Sequence, residues 1–309
     1  MSISNINNIL EFMVNSRNHT PDQPPEGGVP NGLFIMDLDG TLLRSDRTFA
    51  APDLAALRKL GELNVVRAIA TGRSLASFNT VVVSDLPLDY VIFSTGAGIM
   101  RYSSGEIIRK AHLQTHEVRR ACEVLNACRL DFMVHRTIPD NHMFAYLRSN
   151  GGNTDFERRI ELYRQFAIPF EDTATDFGPA TQLLAVVPPR NAKSALDRIR
   201  AEMTDFNVIQ TTSPLDGKST WIEIFPSTVS KSQTAAWLAD RLEIDRQSIV
   251  SVGNDYNDLD LLEWTASSYV VSNAPADIKS RFVSVASNNN GGVAEAAGRW
   301  IEKQLTAHS

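Results

Sequence analysis

Two acidic residues, Asp37 and Asp39, close an apolar run that begins at Leu33 (LFIM). Alternation along an extended chain turns both carboxylates to one side and Leu38 to the other. Carboxylates this close repel one another unless a cation lies between them. An all-oxygen ligand set suits a hard ion such as Mg²⁺. Gly40 lets the backbone leave the strand sharply. A second acidic grouping, Gly253-Asn254-Asp255-Tyr256-Asn257-Asp258, directly follows the apolar run IVSV and offers several metal-capable oxygens. It lacks the twelve-residue spacing and closing Glu of a calcium loop. Thr71-Gly72-Arg73 follows another apolar run, AIA. A hydroxyl and backbone N–H groups at such a point suit an anion. Lys231 precedes or opens a helix-like stretch. A cation is disfavoured there by the helix dipole, but a fixed ammonium would neutralise an anion's oxygens. Each grouping alone has an ordinary explanation: a solvated acidic turn, a helix start, a surface lysine. Their joint occurrence carries far more weight.

The elements that must position these residues follow from the apolar pattern. LFIMDLDG, VVRAIATGR and DYVIFSTGAG read as strands buried on both faces. Between the first two, PDLAALRKLGEL reads as a helix with Leu54, Leu57 and Leu60 on one face and Pro52 in its first turn. Strands alternating with helices predict a parallel sheet covered on both sides. The middle of the chain has a different rhythm. EIIRKAHL, DFMVHRT, MFAYLRS, TQLLAVVPP, FNVIQTT and STWIEIF read as half-exposed strands, with helices near 115–129, 155–166 and 191–203. Buried strands return at SIVSVGND, SSYVVSNA and RFVSVAS. The simplest account is an α/β chain with a Rossmann-like parallel core over 31–98 and 226–309. An α+β unit over 99–225 is inserted into it. Residues 1–30, rich in Asn and then in Pro and Gly, read as a flexible leader.

The net charge of −6 gives no basic face for nucleic acid. An acidic protein that binds an anionic ligand therefore needs local positive charge. No apolar run approaches the roughly 20 residues that span a bilayer, and the N-terminus does not read as a secretory signal. Cys122 and Cys128 have neither metal-knuckle nor disulfide-framework spacing. Reduced cysteines in a cytoplasmic protein are the expectation. Oligomeric state is not readable.

In this order, each at a strand end or loop, the four groupings resemble the haloacid dehalogenase superfamily of phosphohydrolases. The opening Phe34-Ile35-Met36-Asp37-Leu38-Asp39-Gly40-Thr41-Leu42-Leu43, the later Asn273-Ala274 and the segment Gly291-Gly292-Val293-Ala294 support the likeness. Within the superfamily the chain is similar to the Cof-type branch, often sugar phosphatases with a large α+β cap. The resemblance implies that Asp37 attacks phosphorus and that Asp39 serves as acid and then base. It implies Thr71, Lys231, Gly72, Arg73, Asn257 and the backbone around Leu38 as phosphoryl partners. It implies Mg²⁺ held by Asp37, the carbonyl of Asp39 and the loop residues Asn254, Asp255 and Asp258. The expected ligand is a small phosphate ester, hydrolysed; a phosphomutase or a non-catalytic sugar-phosphate-binding protein are the alternatives. Two departures stand out. Asn254 occupies the position where the family's G-D-x-x-N-D has Asp, which leaves Asn254 and Asp255 as rival ligands. Thr95-Gly96 replaces the usual Asn-Gly. The cap residues His135, Arg136, His142 and Arg148 are polar enough to touch a substrate, but each such residue is more often solvated surface.

Overall fold

The structure, a computed structural model, describes residues 28–82, 86–149, 152–170 and 177–307. The expected leader lies outside the described residues but for 28–30. The first strands are β1 (Gly32–Met36), β2 (Val65–Ala70), β3 (Tyr90–Phe93), β4 (Gly98–Arg101) and β5 (Ile107–Lys110). Next come β6 (Asp131–His135), β7 (Phe144–Leu147), β8 (Ala167–Pro169), β9 (Gln182–Val187), β10 (Phe206–Thr212) and β11 (Thr220–Pro226). The last are β12 (Ile249–Gly253), β13 (Ser267–Val271) and β14 (Val283–Val285).

One sheet runs β14-β13-β12-β1-β2-β3-β4-β5. Its strands from β14 to β3 are parallel. Every residue of β1 is buried, because both faces are covered, as the unbroken apolar run predicted. Phe34 and Met36 pack toward the helices Ala51–Glu62 and Gly292–Ala307, through Leu57, Leu60, Ala296 and Trp300. Leu33 and Ile35 pack on the opposite face against Ala235, Leu238 and Leu261. Burying each such side chain stabilises the fold by about 1.5–3 kcal/mol. This packing fixes the strand ends that carry the acidic loops.

The hairpin β4–β5 adds to this sheet antiparallel to β3. The sequence pattern places 99–225 in the inserted unit; residues 98–110 instead extend the core sheet. The reason is the reversal after β3. Ser94, Thr95 and Gly96 all take positive φ, which folds the chain back so that Gly98 pairs with Phe93.

The second sheet runs β10-β11-β9-β6-β7-β8 and is antiparallel except for β7–β8. Helices Thr115–Ala127 and Ala192–Glu202 cover one face through Cys122, Leu125, Leu196 and Ile199. On the other face Met133, Leu184 and Trp221 meet Phe156 and Ile160 of the helix Thr154–Leu162. This is the α+β unit that the middle of the sequence predicted. No helix among the described residues is long and apolar enough to cross a membrane.

Candidate active site

Lys231 is the first residue of the helix Lys231–Arg241, which Ser230 caps by accepting from the Gln233 amide. Its side chain is fully buried and aims at the ends of β1 and β12. Nζ donates to Asp37 Oδ1 at 2.7 Å and to Asp258 Oδ1 at 2.5 Å. Residues separated by 194 and 27 positions thus form one cluster. One ammonium neutralises only one of two buried carboxylates. Burial, and then repulsion from Asp258, push the Asp37 carboxyl up to about 8. Burial alone would discharge Lys231, but attraction to Asp258 and Asp37 outweighs it and holds the ammonium charged. Proton uptake by Asp37 keeps the buried cluster neutral, and its full ionisation leaves one negative charge in excess.

Asp39 faces more open surroundings. Arg73 grips its carboxylate as a fork, Nε to Oδ2 and Nη2 to Oδ1, both 2.7 Å. Arg73 also donates to Ser77 Oγ at 3.0 Å. The resemblance implies Arg73 as a phosphate partner; in the structure its guanidinium is bound to Asp39. Thr71 is buried at the end of β2, and its hydroxyl accepts from the Arg73 amide at 3.1 Å. Gly72 faces Thr95 and Asn257: a Cβ there would lie 3.5 Å from Thr95 Oγ1 and 3.8 Å from Asn257 Nδ2. The Leu38 side chain lies wholly in the apolar core, so only its backbone is left for a phosphoryl group.

Asn254 resolves into a distinct role from Asp255. One atom of its side-chain amide lies 3.1 Å from the Asp39 carbonyl oxygen, 3.1 Å from Thr41 Oγ1 and 3.2 Å from Asp37 Oδ2. With nitrogen at that position, the two N–H groups of Asn254 are shared among these three oxygens. With oxygen there, three oxygens stand edge to edge, an arrangement that calls for a hard cation among them. Gly40 makes room: at φ +76° it carries no Cβ, which would fall 2.6 Å from Asn254 Nδ2. The donor set Asp37 Oδ2, Asp39 O and Asn254 Oδ1 fits Mg²⁺ in kind, and the negative charge left over when Asp37 ionises fits it in sign.

Two other expected ligands are turned elsewhere. Asp255 accepts from the Thr212 amide and hydroxyl, both at 3.1 Å, and from the Thr211 hydroxyl at 3.4 Å. It binds β10 of the inserted unit rather than the acidic pair. Asp258 uses Oδ1 on Lys231 and Oδ2 on the amides of Asn254 (2.8 Å) and Asp255 (3.1 Å). It shapes the loop. Among the described residues, no group of three or more Asp, Glu, His or Cys forms a metal cluster. The physical reason is that Asp39 presents a backbone oxygen and residue 254 an amide.

A family model described as haloacid dehalogenase-like hydrolase matches residues 34–296. This chain belongs to that family. A Bacillus subtilis relative named 5-amino-6-(5-phospho-D-ribitylamino)uracil phosphatase is 24% identical over 278 residues, covering 84% of this chain and 94% of that protein. A Streptococcus pyogenes serotype M6 protein, named only as a candidate phosphatase, is 26% identical over 276 residues, covering 87% and 98%. The haloacid dehalogenase subclass IIB sugar phosphatase BT4131 shares the fold with a TM-score of 0.69 at 14% identity, covering 87% and 98%.

This haloacid dehalogenase-like hydrolase also has site residues that sequence reasoning missed. Glu223 on β11 reaches across from the inserted unit, and Oε2 accepts from Thr95 Oγ1 at 2.9 Å. Asn141 Nδ2 donates to Ser94 Oγ at 2.7 Å. Burial raises the Glu223 carboxyl, against the pull of Thr95, Arg159 and Lys231. The STWIEIF run did contain a signal: Glu223 interrupts an otherwise apolar strand, and a buried carboxylate needs partners. Those partners lie 128 and 41 residues away, at Thr95 and Gln182, so the sequence alone does not name them.

Proposed function

We propose that this hydrolase is a Mg²⁺-dependent phosphatase of small phosphate monoesters, working through a covalent intermediate on Asp37. The observation that carries the reading is the buried Asp37–Lys231–Asp258 cluster. Lys231 holds Oδ1 of Asp37, fixing the carboxylate's orientation. A carboxylate oxygen of Asp37 forms a bond to phosphorus as the ester P–O bond breaks. The leaving oxygen takes a proton from Asp39. Asp39, then a carboxylate, takes a proton from water, whose oxygen attacks phosphorus and breaks the bond to Asp37. Inorganic phosphate leaves and Asp37 is regenerated. Arg73 holds Asp39 beside the site, one of the two bonds of the fork giving way while Asp39 carries the proton. A bound Mg²⁺, held by Asp37, Asp39 O and Asn254, would offset repulsion between an anionic nucleophile and an anionic ester.

The names of the relatives support a polyhydroxylated phosphate as substrate. One acts on a ribityl phosphate and a structural neighbour is a sugar phosphatase. The test is phosphate release from p-nitrophenyl phosphate and a panel of metabolite monoesters, with Mg²⁺ and with EDTA, with Asp37→Asn as control. Metal-dependent release that Asp37→Asn abolishes supports the reading. Binding of esters with no release from any of them would replace it with a non-catalytic sugar-phosphate-binding protein.

A further inference from the structure

The turn Ser94–Gly96, between β3 and β4, touches two segments that the reaction uses. On one flank it is tied to Thr71-Gly72-Arg73: Ser94 N donates to Arg73 O at 2.8 Å and Thr95 N to Thr71 O at 2.9 Å. On the other flank it meets the start of the helix Lys231–Arg241. Gly96 O accepts from Thr234 Oγ1 at 2.8 Å. Gly96 also packs against the Ser230 carbonyl so closely that a Cβ there would clash with it. The turn thus spaces the expected phosphoryl segment from the helix that aims Lys231 at Asp37.

The turn does not hold this shape by itself. Ser94 and Thr95 take positive φ, near 49° and 56°. A β-branched residue is rarely found there, and such backbone persists where the surroundings impose it. What imposes it comes from the inserted unit. Thr95 Oγ1 donates to Glu223 Oε2 at 2.9 Å, and Asn141 Nδ2 donates to Ser94 Oγ at 2.7 Å. All four side chains are buried.

Glu223 is well anchored on its own side. On β11, between β10 and β9, it stands opposite Ile209 and Leu184. Its Oε1 accepts from Gln182 Nε2 at 3.3 Å. Alternation puts Trp221 and Phe225 on the same face of the strand. Trp221 packs within the inserted unit and Phe225 within the core cluster. Glu223 therefore stands where β11 passes from one unit to the other. A carboxylate is costly to bury at such a point, and an apolar side chain would pack without that cost. The hydrogen bond that Glu223 makes outside its own unit is the one to Thr95.

We propose that Glu223 is a positioning residue for phosphoryl transfer: through Thr95 it holds the Ser94–Gly96 turn, and the turn keeps Thr71-Gly72-Arg73 in register with the Lys231 helix. In this role Glu223 touches neither the ester nor Mg²⁺. The proposal rests on the phosphatase reading and adds a residue to it. What the role requires of Glu223 is reach rather than charge. A small displacement of a segment that orients the reacting groups costs rate more than it costs binding.

Two substitutions separate reach from charge. Glu223→Asp keeps the charge but is one methylene too short for Thr95. Glu223→Gln keeps the reach: its amide oxygen can accept from Thr95, and its NH₂ can donate to a Gln182 amide that has turned over. Each variant of the full chain is assayed with Mg²⁺ for phosphate release from p-nitrophenyl phosphate and from a panel of metabolite monoesters, after circular dichroism has shown that it is folded. Glu223→Asp is expected to lower kcat by about tenfold or more with KM changed less than about threefold, by the same factor for every ester. Glu223→Gln is expected to recover most of that loss. Thr95→Val should reproduce the loss of Glu223→Asp, and the double variant should lose little more than either alone, because both remove one contact. Should Thr95→Val not fold, the comparison of Asp with Gln at position 223 decides by itself. Unchanged kcat in Glu223→Asp, a larger loss in Glu223→Gln than in Glu223→Asp, a loss that varies with the leaving group, or fully additive losses in the double variant overturn the positioning role and leave the phosphatase reading intact. No release from any ester by the unaltered chain overturns that reading and this one with it.

Discussion

Arg73 and Asp39 face one another as a planar fork on a carboxylate, with two parallel hydrogen bonds of 2.7 Å. A fork of this kind fixes both the position and the plane of the acid, which a point charge does not. The contact makes Arg73 a positioning residue for proton transfer. Arg73→Lys is expected to lower kcat by about tenfold or more, with KM changed far less, because lysine keeps the charge but loses the fork. Steady-state kinetics with p-nitrophenyl phosphate separates the two constants. A large rise in KM at unchanged kcat would return Arg73 to the role of phosphate ligand.

Lys231 is the only cation that touches Asp37 and Asp258 among the described residues. Lys231→Met leaves two buried carboxylates side by side. Removing one partner of a buried ion pair costs about 3–5 kcal/mol, so urea denaturation should show a loss of that size in EDTA. Lys231→Met should also be inactive. Restored stability in Lys231→Met with Asp258→Asn would tie the loss to repulsion rather than to packing.

Asp37 holds its proton more tightly folded than unfolded, since its carboxyl is raised from 3.8 to about 8. Its contribution to stability is thus fully present below about pH 4 and is lost as pH rises toward 8. Asp37→Asn removes that dependence. In EDTA, the variant's melting temperature should exceed that of the unaltered chain by a margin that widens from pH 4 to pH 8. Mg²⁺ should narrow the gap. A margin that stays flat across this range contradicts the excess buried charge.

Asn254 brings an oxygen but no charge to the proposed Mg²⁺ position. Asn254→Asp is expected to tighten Mg²⁺ binding by about tenfold or more, because a carboxylate replaces a neutral ligand beside two other oxygens. The same variant should be less stable in EDTA. Isothermal titration with Mg²⁺ measures the first effect and thermal melting the second.

Asp255 is bound to Thr211 and Thr212 on β10. Asp255→Ala should therefore leave the Mg²⁺ midpoint of activation within about twofold, while destabilising the chain by about 1–3 kcal/mol through unpaired partners. A strong shift in the Mg²⁺ midpoint would restore Asp255 as a ligand.

The sequence by itself determined the strands that carry the acidic loops and the four groupings at their ends. Runs such as LFIM and IVSV are too apolar to lie anywhere but inside a covered parallel sheet, and that texture is local. The helix that opens at Lys231 and the change of rhythm in the middle of the chain are local signals too. What only the tertiary structure decided is which atoms meet. Asn254 and Asp255 are neighbours in the chain, yet one points to Asp37 and the other to β10, because alternation sends adjacent side chains to different partners. Arg73 is as plausible a phosphate ligand as an Asp39 partner until the loops at 39 and 73 are brought together. The hairpin β4–β5 joins the core sheet because of the tight turn at 94–96, whose positive φ values no pattern of Ser and Thr announces. Glu223 and Asn141 acquire their roles from Thr95 and Ser94 across the boundary between the two units. Contacts between distant segments depend on how whole layers pack, and that is information no short stretch of residues contains.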